Sequence, residues 1–426
     1  MLAALNPPRK RISTVKSKKL LLCSMATLVT TATALAQQPT YDVINLGTPL
    51  NGNFAIAAGI SPAGFLGGYA NVPGNASQHA VLWYINKTKD LGTLGGLNSS
   101  LLNQFSGFSE TATKDPLGQD WCETGTGLVC QPITVRNGKP VTLPLLGGNN
   151  GSGFGNNDLG QVAGSAQTTT LDPSCLVSGE PVSPALQTQQ AVPVVWTNGR
   201  ARQLPLYAGD SAGSANAINN LGQVTGATGD CLNATAAHAL LWKDGKAIDL
   251  GNLGGVLYTN PFAINDRTQV TGTADLAGDL TSHAFLWQNG VMSDLGTLPG
   301  DYYSVGYSIN NRGQVVGQSC DANFNCRAVL WQNGKVTDLN TLISSSSPLY
   351  LYLAATIDDF GVIVGYATDQ TANTSPGFVA IPKFIFGSLD ASEHREAVPK
   401  IALPEALRTQ IQQNMKKRGV RRIGHN

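Results

Sequence analysis

The sequence has 426 residues, of which 13% are charged and 48 are glycine. This composition argues against a helical bundle and against a disordered chain, and it is typical of a β-rich protein with many turns. The formal net charge of +1 is unevenly distributed. Residues 37–382 carry ten more acidic than basic side chains, which makes this stretch a poor candidate for binding nucleic acid.

The first 36 residues have the pattern of a secretory signal peptide. Six basic residues precede an apolar stretch, "LLLCSMATLVTTATALA", which ends in the small-residue sequence Ala34-Leu35-Ala36. The apolar core is too short for a comfortable membrane span. We therefore expect cleavage after Ala36 and an extracellular or periplasmic mature protein without a transmembrane helix.

A repeat of about 45 residues runs through the middle of the chain. Four tryptophans follow one another at spacings of 44–46 residues, an earlier tryptophan begins the series, and valine takes the same place in two weaker copies. The seven positions are Trp83, Val135, Trp196, Trp242, Trp287, Trp331 and Val379.

Each repeat is predicted to form four antiparallel strands. Asn310–Gly313 ("NNRG") is suited to a tight turn between the first two strands, and Asn289-Gly290 is a strong hairpin signal between the last two. The third strand, for example "AFLW", is apolar on both faces. A sandwich or an up-and-down barrel predicts alternation instead, so this strand indicates a sheet packed between two others.

The ends of the repeat region complement each other. Residues 41–50 resemble a fourth strand with nothing before it, and the last repeat stops after its third strand at Pro382. We therefore predict an all-β fold over residues 37–382, a seven-bladed β-propeller of four-stranded blades in which the N-terminal strand completes the last blade. An open β-solenoid is the alternative, but it does not explain these ends.

The stretches "SHAFLWQNGVMSDLGTLPG" and "SINNRGQVVGQS" resemble the HAF-repeat family of bacterial extracellular proteins. The resemblance covers nearly all of residues 41–382. Only Thr281–Trp287 keeps the literal His-Ala-Phe run. The resemblance implies a β-propeller outside the cytoplasm, and it brings no established activity.

Six cysteines remain once Cys23 leaves with the signal peptide, and an even number in an exported chain predicts disulfides. Two pairs close short loops and the third follows by elimination. The expected disulfides are Cys122–Cys130, Cys320–Cys326 and Cys175–Cys231. No CxxC pair or nearby histidine indicates a metal site, and no cofactor motif is present.

The histidines and tryptophans of the repeat are expected to be structural. His79, His238 and His283 each precede a tryptophan by four residues, and equivalent positions in different blades cannot converge on one substrate. We expect their ring nitrogens to bond to backbone at the strand edge. We expect the repeat tryptophans to pack between blades. These are Trp83, Trp196, Trp242, Trp287 and Trp331.

Topology separates two faces of the predicted propeller. The turn face carries the tight turns between first and second strands and between third and fourth strands. The loop face carries the second-to-third loops and the connections between blades, where variable functional loops are expected. No catalytic residue is identified. The candidate ligand-binding residues on the loop face are Trp121, Tyr207, Asp210, Tyr258, Asp301, Tyr302 and Tyr303.

The sequence favours an exported binding module that presents its loop face to a carbohydrate or protein ligand. One alternative is a glycoside hydrolase or lyase in which loop acids such as Asp210, Asp275 and Asp301 meet over the pore; another is a structural protein of the cell envelope. Residues 383–426 form a basic tail, helical in part or disordered, which could contact an anionic surface.

Overall fold

The computed structural model describes residues 40–383 apart from 85–86, 119, 123, 173–175, 178–179, 182–188 and 231–236. The expected signal peptide, the tail beyond Lys383 and the expected Cys175–Cys231 pair lie outside the described residues. Within the described ranges, no helix has both the length and the apolar character needed to span a membrane.

Seven antiparallel four-stranded sheets form the blades of a propeller, with the strands of each sheet in meander order. The closing strand is β1 (Tyr41–Gly47). Blade 1 contains β2 (Ala55–Ile60), β3 (Leu66–Asn71), β4 (Gln78–Tyr84) and β5 (Lys87–Asp90). Blade 2 contains β6 (Gly95–Leu101), β7 (Ser106–Lys114), β8 (Leu128–Arg136) and β9 (Lys139–Thr142). Blade 3 contains β10 (Gly147–Asn156), β11 (Val162–Leu171), β14 (Gln189–Thr197) and β15 (Arg200–Gln203). A small hairpin, β12 (Leu176–Val177) with β13 (Glu180–Pro181), lies between β11 and β14.

The remaining blades repeat the same order. Blade 4 contains β16 (Ala212–Ile218), β17 (Val224–Gly229), β18 (His238–Lys243) and β19 (Lys246–Asp249). Blade 5 contains β20 (Gly254–Ile264), β21 (Val270–Leu276), β22 (Ser282–Gln288) and β23 (Val291–Asp294). Blade 6 contains β24 (Tyr303–Ile309), β25 (Val315–Cys320), β26 (Cys326–Gln332) and β27 (Lys335–Asp338). Blade 7 contains β28 (Leu349–Ile357), β29 (Ile363–Asp369) and β30 (Gly377–Pro382).

The N-terminal strand closes the ring. β1 pairs antiparallel with β30, with Tyr41 opposite Pro382 and Gly47 opposite Gly377. Blade 7 therefore receives its fourth strand from the start of the described chain. The predicted seven-bladed fold and its closure are confirmed.

Third strands lie at the junctions between blades. In blade 5, for example, Trp287 of β22 is buried in a cluster with Ala239, Leu241 and Leu250 of blade 4. The other four repeat tryptophans lie in equivalent clusters, and all five are at most 7% exposed. Two-sided burial of the third strand explains why it is apolar throughout.

The asparagine that begins the first turn of a blade also connects neighbouring blades. The Oδ1 of Asn310 accepts hydrogen bonds from the backbone N–H of Arg312 and Gln314, and its Nδ2 donates to the carbonyl of Asp358 in blade 7 at 2.9 Å. Asn157, Asn219 and Asn265 make the same set of contacts with the following blade. One residue type thus stabilises both the turn and the ring.

Candidate functional site

A β-bulge recurs near the end of the first strand in six of the seven blades. Each bulge adds one unpaired residue, always three positions before the residue that begins the first turn. A bulge redirects the extra side chain out of the regular pleat. The bulged residues are Ala58, Phe154, Asn216, Phe262, Tyr307 and Ala355.

A glycine in the second strand makes room for each bulge. In blade 5, a Cβ added to Gly272 would overlap the carbonyl group of Asn260, two residues before the bulged Phe262. Gly317 and Gly365 face the equivalent carbonyl groups in blades 6 and 7. The repeated glycine of "QVTG" and "QVVG" is therefore required by a close approach of two backbones.

All six bulged residues line a central channel with a cavity volume of about 810 Å³. This volume lies in the usual range for sites that bind small molecules. Blades 3, 5 and 6 contribute aromatic rings through Phe154, Phe262 and Tyr307, whereas Asn216 of blade 4 is polar. Asn216 is held in place, since its Nδ2 donates to Asn260 Oδ1 at 2.7 Å. The channel therefore offers aromatic faces together with fixed polar groups.

Blade 2 forms part of the mouth of the channel on the loop face. Trp121 in the β7–β8 loop is half-buried and packs against Phe108 and the Cys122–Cys130 disulfide, whose side chains are buried. Glu110 is fully buried beneath this loop and accepts a hydrogen bond from Thr126 Oγ1 at 2.7 Å. These contacts fix the position of Trp121 at the mouth.

The described lining of the channel is acidic. It contains seven aspartates, and no lysine, arginine or histidine lies among these residues. The aspartates occur near both mouths, three beside blades 2 to 4 on the loop face and four in the first turns on the turn face. They are Asp120, Asp172, Asp230, Asp158, Asp266, Asp358 and Asp359. Such a lining disfavours anionic ligands.

Two of the seven residues suggested by the sequence, Trp121 and Tyr258, line the channel. Tyr258 is 3% exposed, and its hydroxyl lies 3.2 Å from the Nδ2 of Asn260. The other five suggested residues do not line it. The variable loops thus supply only part of the site, because most of the cavity wall comes from the first strands.

Tyr207 and Asp210 belong to a separate cluster outside the channel. The ring of Tyr207 stacks on His238 with centroids 3.8 Å apart, and His238 Nδ1 lies 2.9 Å from Asp210 Oδ2. Thr228 Oγ1 donates to the same carboxylate at 2.5 Å. Asp210 is therefore occupied by His238 and Thr228 and is available only in part to a ligand.

Asp301 and Tyr303 were suggested as ligand-binding residues, but the structure buries both side chains. The side chain of Asp301 is fully buried and accepts two hydrogen bonds of 3.0 Å from Arg327. Tyr303 is 2% exposed because it lies in β24, where burial and then the neighbouring Tyr352 raise the pKa of its hydroxyl well above the ordinary value. Tyr302 is exposed, with its hydroxyl donating to the carbonyl of Leu280.

The three repeat histidines bond to carboxylates through Nδ1, where the sequence suggested backbone partners. His79 lies 3.0 Å from Asp90, and His283 lies 2.9 Å from Asp294, in each case in the fourth strand of the same blade. Burial raises the pKa of Asp294, but the hydrogen bonds and charge of His283, with the backbone N–H of Gly296, outweigh it and leave the pKa lowered.

The loop acids of the enzyme alternative do not meet over the pore. Asp210, Asp275 and Asp301 all lie outside the channel lining. Asp275 is at the end of β21, where its buried carboxylate accepts a hydrogen bond from Ser282 Oγ at 2.5 Å. Among the described residues, no group of three or more His, Cys, Asp or Glu side chains is arranged to hold a metal ion.

Comparisons with known proteins assign no family to the chain. No family model and no curated protein sequence matches the chain. A puromycin-hydrolyzing peptidase from Mycobacterium tuberculosis is similar at 11% identity and a TM-score of 0.46, over 80% of this chain and 56% of that one. The chain thus spans little more than half of that peptidase.

Two further solved structures are similar at lower TM-scores. A gluconolactonase from Xanthomonas campestris has 12% identity and a TM-score of 0.33, over 82% of this chain and 99% of that one. A lectin from Aleuria aurantia has 10% identity and a TM-score of 0.27, over 80% of this chain and 96% of that one. At these values the likenesses assign neither a family nor an activity.

Proposed function

We propose that the protein is an exported binding module of the HAF-repeat type, which binds a neutral or positively charged ligand in its central channel, entered from the loop-face mouth. A carbohydrate and a peptide segment both fit this description. The observation that carries the proposal is the cavity of about 810 Å³, which combines a wall of bulged aromatic residues with acidic groups.

The chemistry of the lining supports this ligand class. Aromatic faces such as Trp121 and Phe262 stack on the apolar faces of sugars or on the side chains of peptides. The same rings attract ammonium and guanidinium groups, and nearby aspartates strengthen that attraction. Fixed amides such as Asn216 orient hydroxyl or peptide groups.

Export is supported by two independent features. The N-terminal 36 residues have signal-peptide character, and the Cys122–Cys130 and Cys320–Cys326 disulfides are typical of proteins outside the cytoplasm. The repeat motifs support membership of the HAF-repeat family. Mass spectrometry of the protein recovered from the extracellular or periplasmic fraction tests this part, and we expect an N-terminus at Gln37.

The ligand is tested by screening the exported protein on glycan and peptide arrays. We expect at least one neutral or cationic component to bind, and we expect Trp121→Ala or Phe262→Ala to weaken that binding at least ten-fold, about 1.4 kcal/mol, as loss of an aromatic anchor does. Tyr302→Ala is the matched control, since Tyr302 is exposed on the same face outside the channel. Binding only to anionic components, or binding unaffected by both channel variants, would overturn the proposal.

A further inference from the structure

The basic side chains of the propeller are concentrated on the turn face. Of fourteen described lysines and arginines, twelve lie in or beside the turns of this face, and only Lys114 and Arg327 lie toward the loop face. The twelve are Lys87, Lys89, Arg136, Lys139, Arg200, Arg202, Lys243, Lys246, Arg267, Arg312, Lys335 and Lys383. The loop face, in contrast, holds most of the acidic residues.

Eight of these residues lie in four consecutive blades, and we call them the cationic rim. Each of blades 1 to 4 contributes two basic residues from its hairpin between third and fourth strands, and Asp244 is the only acidic residue in the turns themselves, since Asp90 and Asp249 lie at the far ends of their fourth strands. The rim consists of Lys87, Lys89, Arg136, Lys139, Arg200, Arg202, Lys243 and Lys246.

The charges of the cationic rim are not neutralised within the propeller. In the part of the chain that the structure describes, none of the eight residues takes part in an ion pair. Lys89 is held by the carbonyl group of Gly138 in the hairpin of blade 2, at 2.7 Å, so the hairpins of blades 1 and 2 are in contact. The rim is therefore a positive surface in which the first two hairpins touch.

Apolar side chains project from the same face next to the rim. Leu159 and Leu221 occupy the tips of the first turns in blades 3 and 4 and are 68% and 64% exposed. The two turns are joined, because Asn220 Oδ1 accepts a hydrogen bond from the backbone N–H of Asp158 at 3.0 Å. A groove beside them is lined by Phe65, Arg136 and Leu159 together.

Asp244 lies within the rim, and the other acidic residues of the turn face lie in the inner turns or in blade 7. Asp158 and Asp266 lie in the inner turns around the channel, where the Nδ2 of Asn220 donates to both carboxylates at 3.0 and 3.3 Å. Asp42 is paired with Lys383 at 2.7 Å. Positive charge thus dominates the outer part of this face in blades 1 to 4.

We propose that the turn face docks on a membrane surface that contains anionic phospholipids. Rim lysines and arginines would contact the headgroup phosphates, while Leu159 and Leu221 enter the interfacial region. In the sequence, Lys383 is followed by residues 384–426, which carry eight basic and four acidic residues. The loop-face mouth of the channel then points away from the membrane and is open to ligands.

The test is flotation of the protein with vesicles of phosphatidylglycerol and phosphatidylcholine, compared with vesicles of phosphatidylcholine alone. We expect binding to the anionic vesicles that weakens as salt is added. Lys139→Glu is expected to weaken partitioning about five-fold or more, by the contribution of one basic residue near an anionic surface. Lys114→Glu is the matched control, an exposed strand lysine on the loop face, and is expected to bind like the wild type.

A second variant separates lipid from other anionic partners. Leu159→Ser with Leu221→Ser leaves every charge in place and is expected to reduce vesicle binding, but not binding to soluble polyglutamate. The proposal is overturned by absence of flotation with anionic vesicles, by equal effects of Lys139→Glu and Lys114→Glu, or by a leucine variant that binds vesicles like the wild type. A thermal melt of each variant checks that it is folded. The terminal segments are identical in the wild type and in all variants, so differences in vesicle binding come from the substituted residues.

Discussion

One position at the start of the third strand shows how single residues adapt the repeat. In blades 1 and 5 it holds a histidine paired with an aspartate of the fourth strand. Blade 6 places Arg327 there, and its guanidinium group reaches both Asp301, at 3.0 Å, and Asp338, at 3.5 Å. All three side chains are at most 8% exposed. The longer side chain of Arg327 thus links Asp301, in the connection between blades 5 and 6, to Asp338 at the end of the fourth strand of blade 6.

Arg327→Met is predicted to destabilise the protein by about 3–5 kcal/mol at pH 7, because two buried carboxylates lose their cation. Burial raises the pKa of Asp338 although the hydrogen bonds of Asn340 and the charge of Arg327 oppose it. A raised carboxyl pKa stabilises the fold below the unfolded-state pKa, and this stabilisation is lost as the pH rises through the folded-state pKa. Without the charge of Arg327 this pKa rises further, so the variant regains stability as the pH falls and its deficit should be smaller at pH 4 than at pH 7.

Urea unfolding at both pH values measures this effect. Lys114→Met removes an exposed cation from the same face and is expected to change stability by less than about 0.5 kcal/mol. A deficit of Arg327→Met that is the same at pH 4 and pH 7 would contradict the buried ion-pair account.

At the scale of the strand, the bulge is the element that converts a structural repeat into a binding wall. Six of the seven first strands carry an extra residue at the same position, yet its side chain varies from alanine to phenylalanine, tyrosine and asparagine. The backbone is constant because a glycine of the second strand accommodates it, as Gly272 does in blade 5. The variable side chain can therefore change without altering the fold.

Gly272→Ala is predicted to cost about 1–3 kcal/mol or more, since its new methyl group would overlap the Asn260 backbone. Gly377→Ala is the matched control, because the nearest atom to its added Cβ, the backbone nitrogen of Ala57, is 3.3 Å away. Thermal unfolding compares the two variants. Equal melting temperatures for Gly272→Ala and Gly377→Ala would show that the bulge does not need the glycine.

For the whole molecule, ring closure depends on a single short strand. Tyr41 at the start of β1 is 2% exposed, and its backbone N–H donates to the carbonyl of Leu342 at 2.8 Å. Burial raises the pKa of its hydroxyl to about 12, with a smaller opposing effect of Arg312. The hydroxyl has no hydrogen-bond partner among the described residues. Alkali should therefore weaken the closure.

Tyr41→Phe is predicted to stabilise the protein at pH 11 relative to the wild type, by about 1 kcal/mol, with little change at pH 7. The folded state holds the Tyr41 proton more tightly than the unfolded state, so its contribution is full below pH 10 and is lost as the pH rises through about 12. Guanidinium unfolding at pH 7 and pH 11 measures the difference. The closure account predicts that any benefit of the variant appears only in alkali; an equal benefit at pH 7 would refute it.

The propeller, the number of blades and the closing strand could be predicted because the repeat spacing and the Asn-Gly turn chemistry are local signals. The channel wall could not, since a bulge adds a residue without a distinctive sequence mark and breaks the simple alternation of a strand. Tyr302 and Tyr303 illustrate the same limit. They are adjacent in one variable segment, but Tyr303 is buried because β24 begins there, whereas Tyr302 is exposed.

The central claim is that the ligand enters the channel at its loop-face mouth and contacts Trp121 there, and fluorine NMR of protein labelled with 5-fluorotryptophan tests it most directly. Five of the six tryptophans are the buried repeat residues, whereas Trp121 lies at the mouth. On addition of the glycan or peptide found by array screening, the signal assigned by Trp121→Phe should shift while the other five stay in place. A titration in which the Trp121 signal stays and a blade tryptophan shifts would contradict the account.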